Sequence, residues 1–300
     1  MHLDEGWLRH LYAYDRTLPL TPTTEPEAVI DPRTRLPVPG LRRERVTFGS
    51  THDERIVATL TMPEETSASA PRPAVIVQHG STALGRHSYA TATVNVPEPL
   101  AYRWALAGLT VVSVDAYGFG SRERPDNRGR LTPTRPDLMF RTRDQRIQAV
   151  QDLMRTVDYL ETREDVRGDA VLYHGVSMGC RIGVPFVALD PRVRAASLFV
   201  GGSGPYSRFV VEGTDFAGLA EDEQRIHALT DPLTFAPLTG HLPKFVANGR
   251  QDDLVGVEAA ERLQEALAAP KELRWFDGGH AESPAELVEE AREFLVAQLG

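Results

Sequence analysis

Cysteine is almost absent from this chain of 300 residues: Cys180 is the only one. No intrachain disulfide can form, so the fold has to rest on an apolar core. Long apolar runs are missing as well, and none approaches the length that crosses a bilayer. The first residues, Met1-His2-Leu3-Asp4-Glu5, carry neither a basic start nor an apolar stretch of the secretory kind. Basic clusters are lacking too. Lys and Arg number 33 against 42 Asp and Glu, a net charge of −9, and no positive stripe is present to meet nucleic acid. Gly118-Phe119-Gly120 lacks the third glycine of a dinucleotide fingerprint, and no His/Asp cluster has metal-ligand spacing. These absences lead to four expectations: a cytoplasmic chain, a small-molecule substrate, no nucleic-acid or membrane partner, and neither cofactor nor metal.

What is present is an ordinary apolar fraction, 41% of residues and ample for one large core, in a strand-and-helix rhythm. Residues 4–14 read as a short helix with Trp7, Leu8, Leu11 and Tyr12 on one stripe. That stripe is expected to pack on the core; the alternatives are a homodimer contact or a wall of the site. Six prolines in 19–40 predict an extended strap without regular structure. From Leu41 two alternating segments separated by Ser50-Thr51-His52-Asp53 predict an edge hairpin. Continuous apolar runs at Ala74–Val77 and Leu109–Val114 predict strands buried on both faces. Thr142 with Gln145 reads as a capping box opening a helix, and Ser283-Pro284-Ala285-Glu286 as another. Alternating strands and helices predict an α/β fold, a mostly parallel sheet with helices on both faces. Residues 203–241 are too long for one crossover and read as a small cap insertion. The expected organisation is therefore 1–40 as helix and strap, with 41–300 as one catalytic domain.

The chemistry centres on Gly175-Val176-Ser177-Met178-Gly179, with an apolar strand before it and a helix-compatible stretch after it. Strand, G-x-S-x-G and helix describe a tight turn that lifts a serine hydroxyl clear of a sheet. A serine needs a base, and the base needs an orienting acid. His280 is the best placed of nine histidines, on the glycine-rich loop after the last strand. His174 lies within the nucleophile strand and reads as structural. His227, His241 and three others read as surface residues, and His87 as a surface residue or a substrate contact. The acid belongs on the loop Asn248–Val255, where Asp252 and Asp253 compete. Asp252, three residues past Gly249, is preferred. Cys180 reads as a small buried packing residue.

The chain order Ser177, Asp252, His280 is that of the α/β-hydrolases. The sequence resembles that superfamily over residues 41–300, nearest to its dienelactone-hydrolase-like, acetyl-xylan-esterase-like and prolyl-oligopeptidase-like branch. The residues that carry the resemblance are His79-Gly80-Ser81, Asp115-Ala116-Tyr117-Gly118-Phe119-Gly120, the elbow, Gly249-Arg250-Gln251-Asp252 and Gly279-His280. Dienelactone hydrolases proper carry cysteine where this chain has Ser177. The resemblance implies an oxyanion hole formed by the backbone N–H groups of Ser81 and Met178, with His79 orienting its loop. The expected function is cleavage of an ester-type acyl bond through an acyl-enzyme on Ser177. Thioester cleavage, or biosynthetic acyl transfer or cyclisation by the same triad, is the alternative, and a non-catalytic receptor a third reading. Tyr117, Phe119, Phe209 and Phe216 are expected to line the substrate pocket.

Overall fold

The apolar runs become strands, and the most continuous of them occupy the middle of one sheet. The computed structural model describes residues 4–90, 99–124, 136–203 and 221–300. Within them nine strands form: β1 (Thr23–Glu27), β2 (Leu41–Gly49), β3 (Arg55–Pro63), β4 (Arg72–Gln78), β5 (Thr110–Val114), β6 (Val166–Val176), β7 (Val193–Phe199), β8 (Lys244–Gly249) and β9 (Lys271–Phe276). They make a single sheet in the order β1-β2-β3-β5-β4-β6-β7-β8-β9. The first four in that order pair antiparallel, and β5 through β9 run parallel. Every residue of β5 is buried, as a parallel strand covered on both faces requires.

Helices cover the two faces. α1 (Glu5–Leu11), α3 (Pro136–Glu161), α4 (Met178–Leu189) and α7 (Val257–Ala266) share one core, which includes Leu8, Tyr12, Phe48, Val157, Phe186, Phe235 and Leu263. α2 (Leu100–Leu106) and α8 (Ala285–Ala297) cover the other, around Trp104, Phe199, Phe245 and Leu295. Val150, Met154, Val157 and Leu160 line the buried face of α3. Between β7 and β8 the chain makes its long excursion, in which α5 (Glu221–Ala228) and α6 (Pro232–Phe235) are described. The mostly parallel sheet flanked by helices is the architecture expected from the sequence.

Four local expectations need correction. The proline-rich strap contains β1, which pairs antiparallel with β2 along its full length. Pro26 is tolerated there because an outermost strand leaves one row of amides unpaired, and a missing N–H costs nothing on that side. The hairpin of β2 and β3 is therefore covered by β1 and is not the sheet edge. Helix α3 starts at Pro136, six residues ahead of Thr142, so Thr142 lies inside the helix and not at its N-cap. Proline suits a first turn, where its absent N–H has no helical acceptor to lose. The last helix has Pro284 at its N-cap, with no side-chain cap bond, so Ser283 does not perform the capping expected of it.

The stripe of α1 splits. Leu8 and Tyr12 are buried while Trp7 stays 44% exposed. Burial of two such side chains contributes about 2 kcal/mol each. Tyr12 packs edge-on against Phe235, and its hydroxyl donates to Leu229 O at 3.0 Å, tying the N-terminal helix to the excursion after β7.

Candidate active site

All the side chains in question stand at the carboxyl ends of the parallel strands, where an open α/β sheet presents its crevice. Ser177 is the single residue between β6 and α4, with φ +56° and ψ −108°. A non-glycine residue in the left-handed region persists only where its surroundings hold it there. The surroundings are tight. A Cβ on Gly175 would come within 2.6 Å of Gly179 O, and one on Gly179 within 2.2 Å of Gln78 O, so both positions must be glycine. Ser177 N donates to Phe199 O at 2.9 Å, and Tyr173 hydroxyl donates to Gly179 O at 2.6 Å. Ser177 occupies the N-cap position of α4 without making a side-chain cap bond. Its hydroxyl is thereby left for another acceptor.

That acceptor is His280. Ser177 Oγ lies 2.8 Å from His280 Nε2, and His280 Nδ1 lies 2.7 Å from Asp252 Oδ2. The second oxygen of Asp252 accepts the backbone amides of Leu254 at 3.0 Å and Val255 at 2.9 Å. Burial pushes Asp252 up, but bonds from His280, Val255 and Leu254 outweigh it and hold the carboxyl below its ordinary range. An ionised Asp252 places the imidazole proton on Nδ1, so Nε2 is free to accept from the serine hydroxyl. The neighbouring Asp253 is exposed. The loops that carry acid and base are tied to each other, with Gln251 N donating to Gly278 O at 3.0 Å and Arg250 N to Phe276 O at 2.9 Å.

The turn after β4 meets the elbow from the other side. A Cβ on Gly80 would stand 3.4 Å from Ser177 Cβ. The Gly80–Ser81 peptide is held by its carbonyl, which accepts His79 Nδ1–H at 2.6 Å and Thr82 N at 2.8 Å. A trans peptide directs its N–H opposite to its C=O. Ser81 N therefore points away from those donors. Met178 opens α4, and the first amides of a helix have no helical acceptor. His79 itself is buried, accepts Ala116 N on Nε2 at 3.1 Å, and is pushed below its ordinary pKa chiefly by burial. The same loop is braced by Asp115, which accepts Arg86 N at 2.7 Å, Arg86 Nη1 at 2.5 Å, Ser121 N at 3.0 Å and Ser121 Oγ at 2.6 Å. Gly80, Ser81, Ser177, Met178 and His280 all line one cavity of about 340 Å³, together with Arg181, Leu254 and Val255. The arrangement can deprotonate a serine, hold the resulting imidazolium, and receive a carbonyl oxygen beside two backbone amides.

Other sequence expectations fall out as follows. His174 is buried, bonded through Nδ1 to Ser197 Oγ at 2.7 Å, and desolvation drives it down to about 3. Cys180 is buried, with Gly175 O at 3.1 Å and Phe199 O at 3.0 Å from Sγ as acceptors for its one S–H, and burial pushes its thiol up. His87 is exposed, with Nδ1 3.4 Å from an Arg43 nitrogen. His227 is a correction: it is buried in α5, and burial drives it down to about 4. Tyr117 and Phe119 are corrections as well. Phe119 is buried edge-on against His79, and Tyr117 faces a separate polar cavity of about 660 Å³ with His52, Glu54 and Gln148. Aromatic residues near a strand end serve equally well as braces, as Phe119 does against His79. Phe209 and Phe216 lie outside the described residues. Among the described residues no three His, Cys, Asp or Glu side chains converge as metal ligands. No helix among them is long and apolar enough to cross a membrane.

The profile of the Dienelactone hydrolase family matches residues 58–284, three quarters of the chain, a span that includes Ser177, Asp252 and His280. The chain belongs to the dienelactone hydrolase family. It is accordingly a serine hydrolase acting on ester bonds. No curated protein matches it by sequence. Solved structures do match its fold. Acetyl xylan esterase 1 from Thermoanaerobacterium sp. JW/SL YS485 superposes with a TM-score of 0.73 at 16% identity, over 99% of this chain and 93% of that one. An acetyl xylan esterase from Paenibacillus sp. R4 gives 0.69 at 19% identity, over 97% and 92%. A cold-adapted esterase from an Arctic intertidal metagenomic library gives 0.60 at 19% identity, over 88% and 96%. At these identities the likeness is one of fold.

Proposed function

We propose that this dienelactone hydrolase family member hydrolyses short carboxylic esters of small molecules through an acyl-enzyme on Ser177. The observation that carries the reading is the unbroken hydrogen-bonded line from Ser177 through His280 to Asp252. His280 Nε2 takes the serine proton as Oγ forms its bond to the ester carbon. The carbonyl oxygen becomes an oxyanion and receives the Ser81 and Met178 amides, each contributing about 3–4 kcal/mol of barrier lowering. Asp252 steadies the imidazolium. The tetrahedral intermediate then collapses: the bond to the alcohol oxygen breaks, and His280 gives its proton to that oxygen. Water, deprotonated by the same nitrogen, attacks the acyl-enzyme, and its proton passes to Ser177 Oγ as the acid leaves.

In this reading residues 41–300 carry the catalytic machinery, residues 1–40 brace it, and the stretch 203–241, of which 204–220 lie outside the described residues, is assigned as the cap. Cytoplasmic residence belongs to the same proposal, supported by a fold that needs no disulfide and buries its one thiol. Acetyl xylan is the substrate named for two structural neighbours, and short acyl esters are the class it suggests for this chain. A panel of p-nitrophenyl esters from acetate to octanoate tests the proposal. Turnover strongest for the short acyl groups, lost in Ser177→Ala, is expected; equal turnover by the Ser177→Ala protein would remove the nucleophile assignment.

A further inference from the structure

The sheet ends in two outer strands, and only one of them is blunted. β1 carries Pro26 between Glu25 and Glu27, features that discourage a further strand from adding there. β9, which runs into the His280 loop, reads Lys271-Glu272-Leu273-Arg274-Trp275-Phe276 and contains no proline. Its one lysine does not guard the edge, because Lys271 Nζ is folded back onto the carbonyls of Gln264, Glu265 and Leu267 at the end of α7. α7 packs on β8, and α8 on β7 and β8. Among the described residues β8 is the one strand that pairs with β9, so its outer edge is uncovered. Two bonds set the phase of the strand: Lys244 N donates to Pro270 O at 3.2 Å, and Arg250 N to Phe276 O at 2.9 Å. Backbone groups alternate sides along a strand. Glu272 and Arg274 therefore also bond towards β8, while Lys271, Leu273 and Trp275 present N–H and C=O outward. The outward Leu273 carbonyl accepts Arg274 Nη1 at 3.2 Å, and the Leu273 side chain is 40% exposed.

We propose that this edge is the interface of a twofold homodimer, in which β9 pairs antiparallel with β9 of a second copy of the chain about Leu273. Backbone phase and charge together select that register. A twofold axis through Leu273 sets it opposite the partner's Leu273, Lys271 opposite the partner's Trp275, and Glu272 opposite the partner's Arg274. Lys271, Leu273 and Trp275 are then the hydrogen-bonded positions, which need outward N–H and C=O groups, and these are the residues that have them. Glu272 and Arg274 fall at the positions where opposed side chains come closest, and the symmetry makes that opposite-charge pair twice. The other centres lose it. An axis through Glu272 sets acid against acid, one through Arg274 or Lys271 sets base against base, and one through Trp275 leaves Arg274 facing Phe276. Like charges directly opposite disfavour the first three of these. In the Leu273 register the two exposed leucines share one face of the joined sheet and shield each other from water.

Sedimentation velocity and light scattering on the full chain test the proposal. At micromolar concentration the wild type is expected at twice the 33.1 kDa mass of one chain. Glu272→Arg and Arg274→Glu each set like charges opposite one another on both sides of the axis. Each should weaken the dimer by about tenfold or more in Kd, and the exchange of both together should restore it. Leu273→Pro removes an outward N–H and leaves the bonds to β8 intact, so it should yield a monomer. Turnover of p-nitrophenyl acetate at the wild-type rate identifies the variants that are folded. Cross-linking gives a reading that does not depend on the charge variants. Leu273→Cys, in a chain whose other thiol is the buried Cys180, should be joined into a covalent dimer by bismaleimidoethane. Leu36→Cys, at an exposed position away from β9, should not. The wild-type mass needs no variant, so a substitution that fails to fold does not protect the inference. A wild type that sediments as a monomer, a dimer whose Kd ignores both charge reversals and Leu273→Pro, or cross-linking no greater at position 273 than at position 36 overturns it.

Discussion

Asp252 holds His280 with one oxygen and two backbone amides with the other, at distances between 2.7 and 3.0 Å. The carboxylate is therefore fixed in place before it orients anything. In Asp252→Asn the geometry survives but the tautomer does not, since an amide N–H facing Nδ1 makes that nitrogen the acceptor. The kcat for a short ester should fall by about 10²–10⁴ while KM moves far less. A loss of only a few-fold would show that Asp252 does not set the imidazole.

Acid stability should be governed in part by His174. Its folded pKa, about 3, lies below its unfolded value of 6.5, so the fold favours the neutral ring. The stabilisation is complete above pH 6.5 and is lost as pH falls from there towards 3. Unfolding by urea across that window should show wild-type stability dropping on acidification, with a shallower drop in His174→Asn. Parallel slopes would mean that the ring is not desolvated.

Cys180, three residues past the nucleophile, invites confusion with a reactive thiol. It is buried, and burial raises its pKa, so little thiolate exists near neutral pH. The native protein should not react with a thiol reagent such as DTNB, one equivalent should react after unfolding, and iodoacetamide should leave esterase activity intact. Fast labelling of the folded enzyme would contradict this placement.

At Gly179 an added methyl would enter Gln78 O. Because the obstacle is backbone, little can give way. Gly179→Ala is expected to destabilise the protein by about 3 kcal/mol or more, or to move the elbow and abolish labelling of Ser177. A variant with wild-type stability and activity would show the turn to be looser than described.

How much of this was readable beforehand depends on how local each signal is. The elbow is a local backbone requirement, so Gly175, Ser177 and Gly179 announce it in sequence. His280 and Asp252 were legible because chain order and glycine-flanked loops place them at neighbouring strand ends. β1 was not legible, since its pairing to β2 is a tertiary event that overrides the turn-forming chemistry of Pro22 and Pro26. The start of α3 was hidden because Thr142 and Gln145 imitate a cap inside a helix that already runs. His227 looked like a surface residue because its burial comes from contacts distant in sequence.

The central claim is that Ser177 is the activated nucleophile, and covalent capture tests it most directly. A fluorophosphonate probe should form one adduct with the wild type, mapped by peptide mass spectrometry to Ser177, with labelling greatly slowed in His280→Ala and absent in Ser177→Ala. An adduct on another residue, or one that persists in Ser177→Ala, would contradict the account.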